Sequence, residues 1–340
     1  MKFDFCIGNP PYQELKEDGN KEFAPPIYDK FLDAAYSVAD TVEMIHPARF
    51  LFNAGSTPKA WNEKMLNDPH IKVLGYHEDS TQVFSNTDIK GGIAITYRDK
   101  SENFGKIGTF LAYPEMGSVL EKIYEKSKGN LSEIVYTQNR FNLNEVYSDY
   151  PNLKKVIGSD GKDKRFRNNI FEKIPLFHEE KIKDGIPVLG VVKNRRVLRF
   201  IPRKYVDLNH ENLSRWKAII PRANGSGVFG ETLAPSVIGA PNMGYTQTFI
   251  GLGSFDTKEE AEAVVKYLKT KFSRAMLGIL KVTQDNDREA WRKVPLQDFT
   301  PYSDIDWSKS IKEIDQQLYK KYGLTDEEIN FIETHVKEME

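Results

Sequence analysis

The stretch Phe3-Asp4-Phe5-Cys6-Ile7-Gly8-Asn9-Pro10-Pro11-Tyr12 determines how the first third of this chain is interpreted. Its first six residues are mostly apolar and end in glycine, which predicts a short strand buried on both faces, as in a parallel sheet. The two prolines that follow stop the strand and hold the chain extended. Asn9 is therefore predicted to lie at the carboxyl end of a strand, where ligands bind in open α/β sheets.

Helix-like and strand-like segments alternate over the following part of the chain. Apolar residues between positions 28 and 36 recur at the spacing of one face of an amphipathic helix, and a second helical segment lies at residues 61–66. Apolar runs typical of strands lie at residues 42–45, 71–76 and 91–98. Strands that alternate with helices are typical of a doubly wound α/β sheet, so we expect a partial sheet of that class.

The residue types in Asn9-Pro10-Pro11-Tyr12 suit the methylation of an exocyclic amine, which makes all four candidate catalytic residues. The lone pair of such an amine is delocalised into the ring, so the amine is a weak nucleophile. The Asn9 carboxamide and the Pro10 carbonyl can each accept one N–H, which pulls the nitrogen towards tetrahedral geometry. The Tyr12 ring offers a flat face to a base that has left the duplex. Asn-Pro-Pro also opens ordinary turns, so a purely structural turn is the alternative.

At these residues the sequence resembles the adenine-N6 DNA methyltransferases of type II restriction–modification systems, including fused endonuclease–methyltransferases. The resemblance continues in residues 42–51, which look like the family's next strand and its proline-containing end beside the active site. Val83 and Phe84 are similar to the position where the family supplies an aromatic side chain against the flipped adenine. The resemblance therefore implies that Phe84 joins Tyr12 as a base-stacking residue, and a core phenylalanine is the alternative.

The resemblance also implies S-adenosylmethionine as the methyl donor, held by a glycine-rich turn and an acidic residue that usually precede the Asn-Pro-Pro-Tyr motif. Only eight residues precede Asn9, too few for three strands and their helices. We therefore expect the cofactor-binding half to be supplied by a second chain or lost by truncation. Residues 225–230 match G-x-G-x-x-G, but Pro235 blocks the helix that a cofactor loop opens, and Pro221 interrupts the preceding run. A glycine-rich hairpin that touches DNA or solvent is the preferred interpretation.

Charge is distributed unevenly, although the formal net charge is −1. Residues 151–230 carry 18 Lys and Arg against 8 Asp and Glu, a balance of 18 − 8 = +10, whereas residues 301–340 carry 5 against 10, a balance of −5. A basic middle predicts a surface that meets double-stranded DNA, and an uneven but merely solvated surface is the alternative. The candidate DNA-binding residues are Lys193, Arg195, Arg196, Arg199, Arg215, Lys217, Arg222 and Asn224.

A chain of 340 residues favours more than one core. Three parts are predicted: the C-terminal half of a methyltransferase catalytic domain over residues 1–105, an α+β target-recognition domain over 106–300, and a helical tail over 301–340. The tail prediction rests on apolar residues at helical spacing and on a capping box that begins at Thr325.

Composition excludes several other classes of protein. No apolar run approaches the ~20 residues needed to span a bilayer, and the N-terminus has no signal-peptide pattern. The single cysteine, Cys6, cannot form an internal disulfide, which fits a reducing cytoplasm. The six histidines show no metal-ligand spacing with Cys6, and no Asp…Glu-x-Lys nuclease cluster stands out. We therefore expect a cytoplasmic protein without a metal site.

Two hypotheses of different class follow. The preferred one is a piece of an adenine-N6 DNA methyltransferase that carries the catalytic loop and the recognition domain. The competing one is a non-catalytic DNA-binding specificity protein, or an inactive methyltransferase remnant. An unrelated α/β protein with a chance Asn-Pro-Pro-Tyr is the third interpretation.

Overall fold

The structure is a computed structural model that describes residues 2–14 and 24–339. The chain forms two compact units. Unit 1 comprises Met1–Ser118, Ser226–Phe229 and Gly278–Thr283, and unit 2 comprises Val119–Gly225, Gly230–Leu277 and Gln284–Glu340. The first boundary therefore falls after residue 118 rather than at 105, and the expected tail over 301–340 is part of unit 2.

Unit 1 is built on one four-stranded sheet of order β1-β2-β4-β3. Its elements are β1 (Phe3–Gly8), α1 (Tyr28–Val38), β2 (Ala39–Pro47), α2 (Lys59–Asn67), β3 (Ile71–His77) and β4 (Ile93–Asp99). Each helix and strand expected from the periodicity of the first hundred residues is present. The sheet is mixed, because β1 and β2 are parallel whereas β4 runs antiparallel to both β2 and β3.

One face of the unit 1 sheet is covered by α1, which also makes the crossover that parallel strands require. Leu32 and Ala35 of α1 are buried at 0% and 6% exposure, and they share a core cluster with Val42 and Met44 of β2. Cys6 packs against the same cluster from β1. Alternate residues of β1 therefore point towards this core, as the period of two in a strand requires.

The other face of β1 disagrees with the prediction of a strand buried on both faces. Phe3, Phe5 and Ile7 are 51%, 50% and 71% exposed. The physical reason is position: β1 is an edge strand that pairs with β2 alone, and α1 covers only the face that carries Cys6.

Unit 2 holds two smaller sheets and most of the helices. The sheets have the orders β10-β6-β7 and β5-β11-β8-β9. The strands are β5 (Val135–Tyr136), β6 (Gly185–Val192), β7 (Arg195–Pro202), β8 (Trp216–Pro221), β9 (Val237–Gly239), β10 (Gly244–Tyr245) and β11 (Phe249–Phe255). The helices, counted from the one that spans the boundary, are α3 (Met116–Lys126), α4 (Leu143–Asp149), α5 (Lys154–Ile157), α6 (Ile170–Lys173), α7 (Lys258–Lys269), α8 (Lys271–Gly278), α9 (Ile311–Tyr322) and α10 (Asp326–His335).

The short strands expected in the basic middle and the two helices expected in the tail are confirmed. Thr325 accepts a hydrogen bond from the Glu328 amide and caps α10 in the expected capping box. Apolar residues recur at helical spacing over residues 261–279, but they form two helices, because Thr270 adopts an extended conformation and separates α7 from α8. Among the described residues no helix has both the length and the apolar composition to cross a bilayer.

Substitution of Ile7 tests whether the odd-numbered face of β1 is exposed in the isolated chain. Ile7→Thr keeps a β-branched side chain at a position that is 71% exposed, so we expect the free energy of unfolding to change by less than about 0.5 kcal/mol. The matched core variant Leu32→Ala removes a fully buried side chain and should cost about 2–5 kcal/mol. Urea titration measures both, and a comparable loss for the two variants would show that Ile7 is buried.

Candidate active site at the end of β1

The parallel pairing of β1 and β2 places the ends of the two strands side by side. Gly8 pairs with Met44, and a Cβ at position 8 would lie 3.2 Å from the Met44 sulfur. Asn9 follows at once, is exposed, and makes no side-chain hydrogen bond within the described part of the chain. The Asn9 carboxamide is therefore displayed at the strand end with both of its polar atoms available.

The loop after Asn9 returns to the start of α1 through backbone hydrogen bonds. The amide of Ile27 donates to the Tyr12 carbonyl at 3.2 Å, and the amide of Glu14 donates to the Pro25 carbonyl at 3.0 Å. These two bonds fix the loop that carries the Asn-Pro-Pro-Tyr motif against the N-terminus of α1.

A cavity of about 260 Å³ lies beside this loop within unit 1. Its volume is just below the roughly 300–1,000 Å³ that is typical of small-molecule sites. The lining residues come from the motif, the start of α1, the end of β2 and the segment before β4: Tyr12, Gln13, Ala24, Pro26, Tyr28, Pro47, Arg49, Gly55, Ser56, Thr87, Asp88 and Ile89.

Tyr12 is the motif residue that the cavity exposes to a ligand. Its hydroxyl oxygen is buried and has no hydrogen-bond partner among residues 2–14 and 24–339. Desolvation raises the pKa of Tyr12 to about 12, so the phenol is neutral at physiological pH. A neutral aromatic ring with an unsatisfied hydroxyl can stack on a flat ligand and donate or accept one hydrogen bond.

A buried polar pair supports the wall of the cavity behind Pro47. The His46 Nδ1 lies 3.1 Å from the Pro47 carbonyl, so Nδ1 donates and Nε2 accepts from the Thr96 hydroxyl at 2.8 Å. Burial lowers the pKa of His46 to about 4, and the ring is neutral. Tyr28 stacks on this ring with nearly parallel planes, and the two ring centroids lie 5.8 Å apart. No sequence pattern indicated His46, because its burial and its Thr96 partner depend on strand pairing.

Arg49 enters the site immediately after β2. Its Nε donates to the Lys90 carbonyl at 2.5 Å, which fixes the side chain along the cavity wall. Gly91 has a positive φ of 85°, and a Cβ there would lie 2.8 Å from the Arg49 Cγ. Pro47 and Arg49, from the segment 42–51, line the same cavity as Tyr12, and the expectation that this segment ends beside an active site stays a prediction.

Phe84 lies outside the lining of the cavity. It is half-buried, and its carbonyl accepts from the Thr87 amide at 3.0 Å. The segment before β4 contributes Thr87, Asp88 and Ile89 to the cavity in its place. The base-stacking role of Phe84 stays a prediction, and Asp88 is a lining residue that no sequence pattern indicated.

The glycine-rich segment at 225–230 does not fit a methyl-donor loop. No helix follows it, since residues 229 and 230 form a turn and residues 231–236 are irregular. A Cβ at Gly227 would lie 2.2 Å from the Thr283 backbone nitrogen, so the close backbone approach serves a protein neighbour. The segment is an irregular loop rather than the expected hairpin.

Within the described ranges no cluster of three His, Cys, Asp or Glu side chains is arranged to hold a metal ion.

Four candidate DNA-binding residues lie on the hairpin formed by β6 and β7. Lys193 and Arg195 are exposed at its tip, whereas the Arg196 guanidinium donates to the Pro235 carbonyl at 2.7 Å. Arg199 pairs with Glu179 at 2.6 Å.

The other four candidates are engaged within unit 2. Lys217 is 0% exposed, donates to the Asn212 and Leu213 carbonyls, and has its pKa lowered by burial to about 7. Asn224 is 8% exposed, and its amide group binds the backbone of Thr232 and Ala234. These positions disagree with the predicted DNA contacts of Lys217 and Asn224, because neither side chain reaches the surface. Arg215 pairs with Asp256, and Arg222 pairs with Asp285 at 3.3 Å.

Comparisons with known proteins find restriction–modification methylases, mainly through the first hundred residues of the chain. Residues 1–84 match the family model described as Eco57I restriction-modification methylase. A Mycoplasma pneumoniae protein described as an uncharacterized adenine-specific methylase is 35% identical over 97 residues, which is 27% of this chain and 22% of that protein. A solved structure of the Type IIL restriction-modification enzyme MmeI in complex with DNA aligns with a TM-score of 0.43 and 9% identity, over 97% of this chain and 56% of that one. The family model and the Mycoplasma relative confirm the resemblance to restriction–modification adenine methylases, and the alignment spans about a fifth of the relative.

The buried His46 gives unit 1 a defined acid sensitivity. Its folded-state pKa of about 4 lies below the ordinary 6.5, so the stability that depends on the neutral ring is present above pH 6.5 and is lost as the pH falls towards 4. This loss amounts to on the order of 3 kcal/mol. Chemical denaturation of wild type and His46→Gln at several pH values should show a shallower pH dependence for the variant. His178→Gln removes an exposed histidine and is the control. Equal slopes for all three proteins would refute the assignment.

Proposed function

We propose that this chain supplies the catalytic loop and the DNA-recognition part of a site-specific DNA adenine-N6 methyltransferase of a restriction–modification system. One observation carries the proposal: Asn9-Pro10-Pro11-Tyr12 follows β1 directly and borders a cavity of about 260 Å³, within the residues that match a restriction–modification methylase model. In this proposal the unit 1 sheet is part of a doubly wound methyltransferase sheet, and unit 2 contains the target-recognition domain.

The strand end suits the activation of an adenine amine. The Asn9 carboxamide oxygen accepts one N6–H bond, and the Pro10 carbonyl accepts the other. With both protons held out of the ring plane, the nitrogen lone pair is no longer fully delocalised and becomes nucleophilic. Pro11 keeps the carbonyl of the preceding residue on a stiff backbone. Catalysis of this kind rests on positioning and on dipoles that are set before the reaction.

The cavity supplies the place for the flipped base. A base inside a duplex cannot reach Asn9, so it leaves the stack at a cost of about a few kcal/mol, and stacking on a ring in the site offsets this cost. Tyr12, the last residue of the motif, offers that ring at the lining of the cavity. Phe84 remains a second proposed stacking residue, and it reaches the base only if the turn before Thr87 rearranges.

The methyl donor implied by the resemblance is S-adenosylmethionine, and no described residues fit a loop for it. We propose that a second polypeptide segment holds the donor and completes the unit 1 sheet at the free edge of β1. Support comes from Phe3, Phe5 and Ile7, which leave an apolar stripe at that edge. A stripe of bulky apolar residues on an edge strand is a template for pairing with another strand.

A non-catalytic DNA-binding specificity protein, or an inactive methyltransferase remnant, is the second candidate function. The irregular loop at 225–230 favours it, because this G-x-G-x-x-G match opens no helix. The two candidates differ in one measurable property: methyl transfer in the presence of the donor-binding partner.

Asn9→Ala tests the proposed mechanism in an assay with tritiated S-adenosylmethionine, duplex DNA and the product of the neighbouring gene. We expect kcat to fall by about 10²–10³-fold, because one preorganised hydrogen bond to the reacting group is lost. Asn67→Ala, at an exposed asparagine of α2, should leave kcat unchanged. Unchanged transfer with Asn9→Ala would refute the mechanism, and no transfer with any partner would favour the binding-protein candidate.

Calorimetry with S-adenosylmethionine tests where the donor binds. We expect no saturable heat from this chain alone, and binding with 1:1 stoichiometry once the partner is added. Ile7→Asp should weaken that gain, since a charge on the exposed stripe opposes apolar docking. Binding by the chain alone tighter than about 100 µM would contradict the proposed division of the site.

A further inference from the structure

The hairpin of β6 and β7 ends in a compact two-residue turn. Val192 pairs with Arg195, and the turn residues Lys193 and Asn194 have positive φ values of 48° and 61°. Two consecutive residues in the left-handed region are the signature of a type I′ turn, which matches the twist of a two-stranded ribbon. Residues 193–196 are all exposed, so the turn forms the free end of the ribbon.

The base of this ribbon is closely packed. Ile186, Val188 and Ile201 are at most 2% exposed and belong to one core cluster of unit 2. A Cβ at Gly190 would lie 2.3 Å from the Phe171 ring, so the ribbon packs closely against that side chain. The tip is therefore held by a packed scaffold and needs little ordering when it binds a partner.

The four cations of the hairpin divide into two pairs. Arg196 is fixed by the Pro235 carbonyl and by the Phe249 ring, whose centroid lies 5.7 Å from the guanidinium carbon, and Arg199 is neutralised by Glu179. The side chains of Lys193 and Arg195 make neither a hydrogen bond nor an ion pair with any described residue. No acidic residue occurs between positions 185 and 206. The tip is thus locally cationic, and two of its charges are available to a polyanion.

We infer that the tip of this hairpin, residues 193–196, enters the major groove of duplex DNA, with Lys193 and Arg195 on the phosphates that flank the groove. The inference rests on the proposed function in taking DNA as the partner. The B-DNA major groove is about 12 Å wide and admits a two-stranded ribbon. Asn194 sits at the apex, where its carboxamide can face base edges, whereas Lys193 and Arg195 flank it and can contact phosphates.

The salt dependence of DNA binding tests the phosphate contacts. Each phosphate contact contributes about 0.9 to the slope of log K against log salt concentration. The double variant Lys193→Asn with Arg195→Gln removes both charges, and asparagine tolerates the left-handed conformation at position 193. We expect this double variant to reduce the slope for a random-sequence duplex by about 1.8. Arg195→Gln alone should give about half of this change. Fluorescence anisotropy of the full chain with labelled duplex, at salt concentrations of roughly 50 to 200 mM, measures the binding constants from which the slopes are calculated.

The control removes two exposed lysines outside the hairpin. Lys312→Gln with Lys320→Gln on α9 makes the same change in net charge and should leave the slope unchanged. Equal changes of slope in the two double variants, or no change in either, would overturn the hairpin inference. In that case DNA binding by the wild type would still support the proposed function. Absence of DNA binding by wild type would contradict the proposed partner itself.

Asn194→Gly tests the apex separately, since glycine keeps the left-handed turn and removes only the carboxamide. In selection from a pool of random duplexes, we expect the wild type to prefer one base at a position of the DNA where the variant shows no preference. The same preference in both proteins, or none in wild type, would overturn the base-facing role of Asn194.

Discussion

The parallel ladder between β1 and β2 is the constraint on which unit 1 depends. It runs from Phe3 opposite Ala39 to Gly8 opposite Met44, and α1 makes the crossover that permits it. Because both strands end at the same edge of the sheet, residues far apart in sequence are brought together there. Asn9 follows one strand end and Pro47 closes the other. The cavity exists because these two ends are neighbours and the segment before β4 closes beside them.

Burial of neutral polar groups stabilises the wall of this cavity without placing a charge behind it. His46 is held neutral by burial, and its two ring nitrogens are satisfied by Pro47 and Thr96. Tyr28 stacks on it, and burial raises the pKa of that phenol well above its ordinary range. This part of the wall is neutral, whereas Arg49 and Asp88 bring one charge of each sign to other parts of the lining.

Local pattern predicted the elements of unit 1 and the position of Asn9, because strand and helix periodicities depend on near neighbours in sequence. It failed where the outcome depended on distant residues. The exposure of Ile7 follows from the edge position of β1, which no local pattern shows. The contribution of Asp88 to the cavity depends on the path of the chain before β4. Lys217 was grouped with the surface cations, although its strand is buried and its ammonium donates to two carbonyls.

The same limit applies to charge. The balance of +10 over residues 151–230 counts cations without their partners, and in the fold Arg199, Arg215 and Arg222 each meet a carboxylate. Two of those carboxylates, Asp256 and Asp285, lie outside the basic segment. The charge available to a polyanion is therefore smaller and more localised than the sequence balance indicates. A few cations on the hairpin give less long-range attraction than ten, but a few localised contacts can still fix the orientation of a bound polyanion.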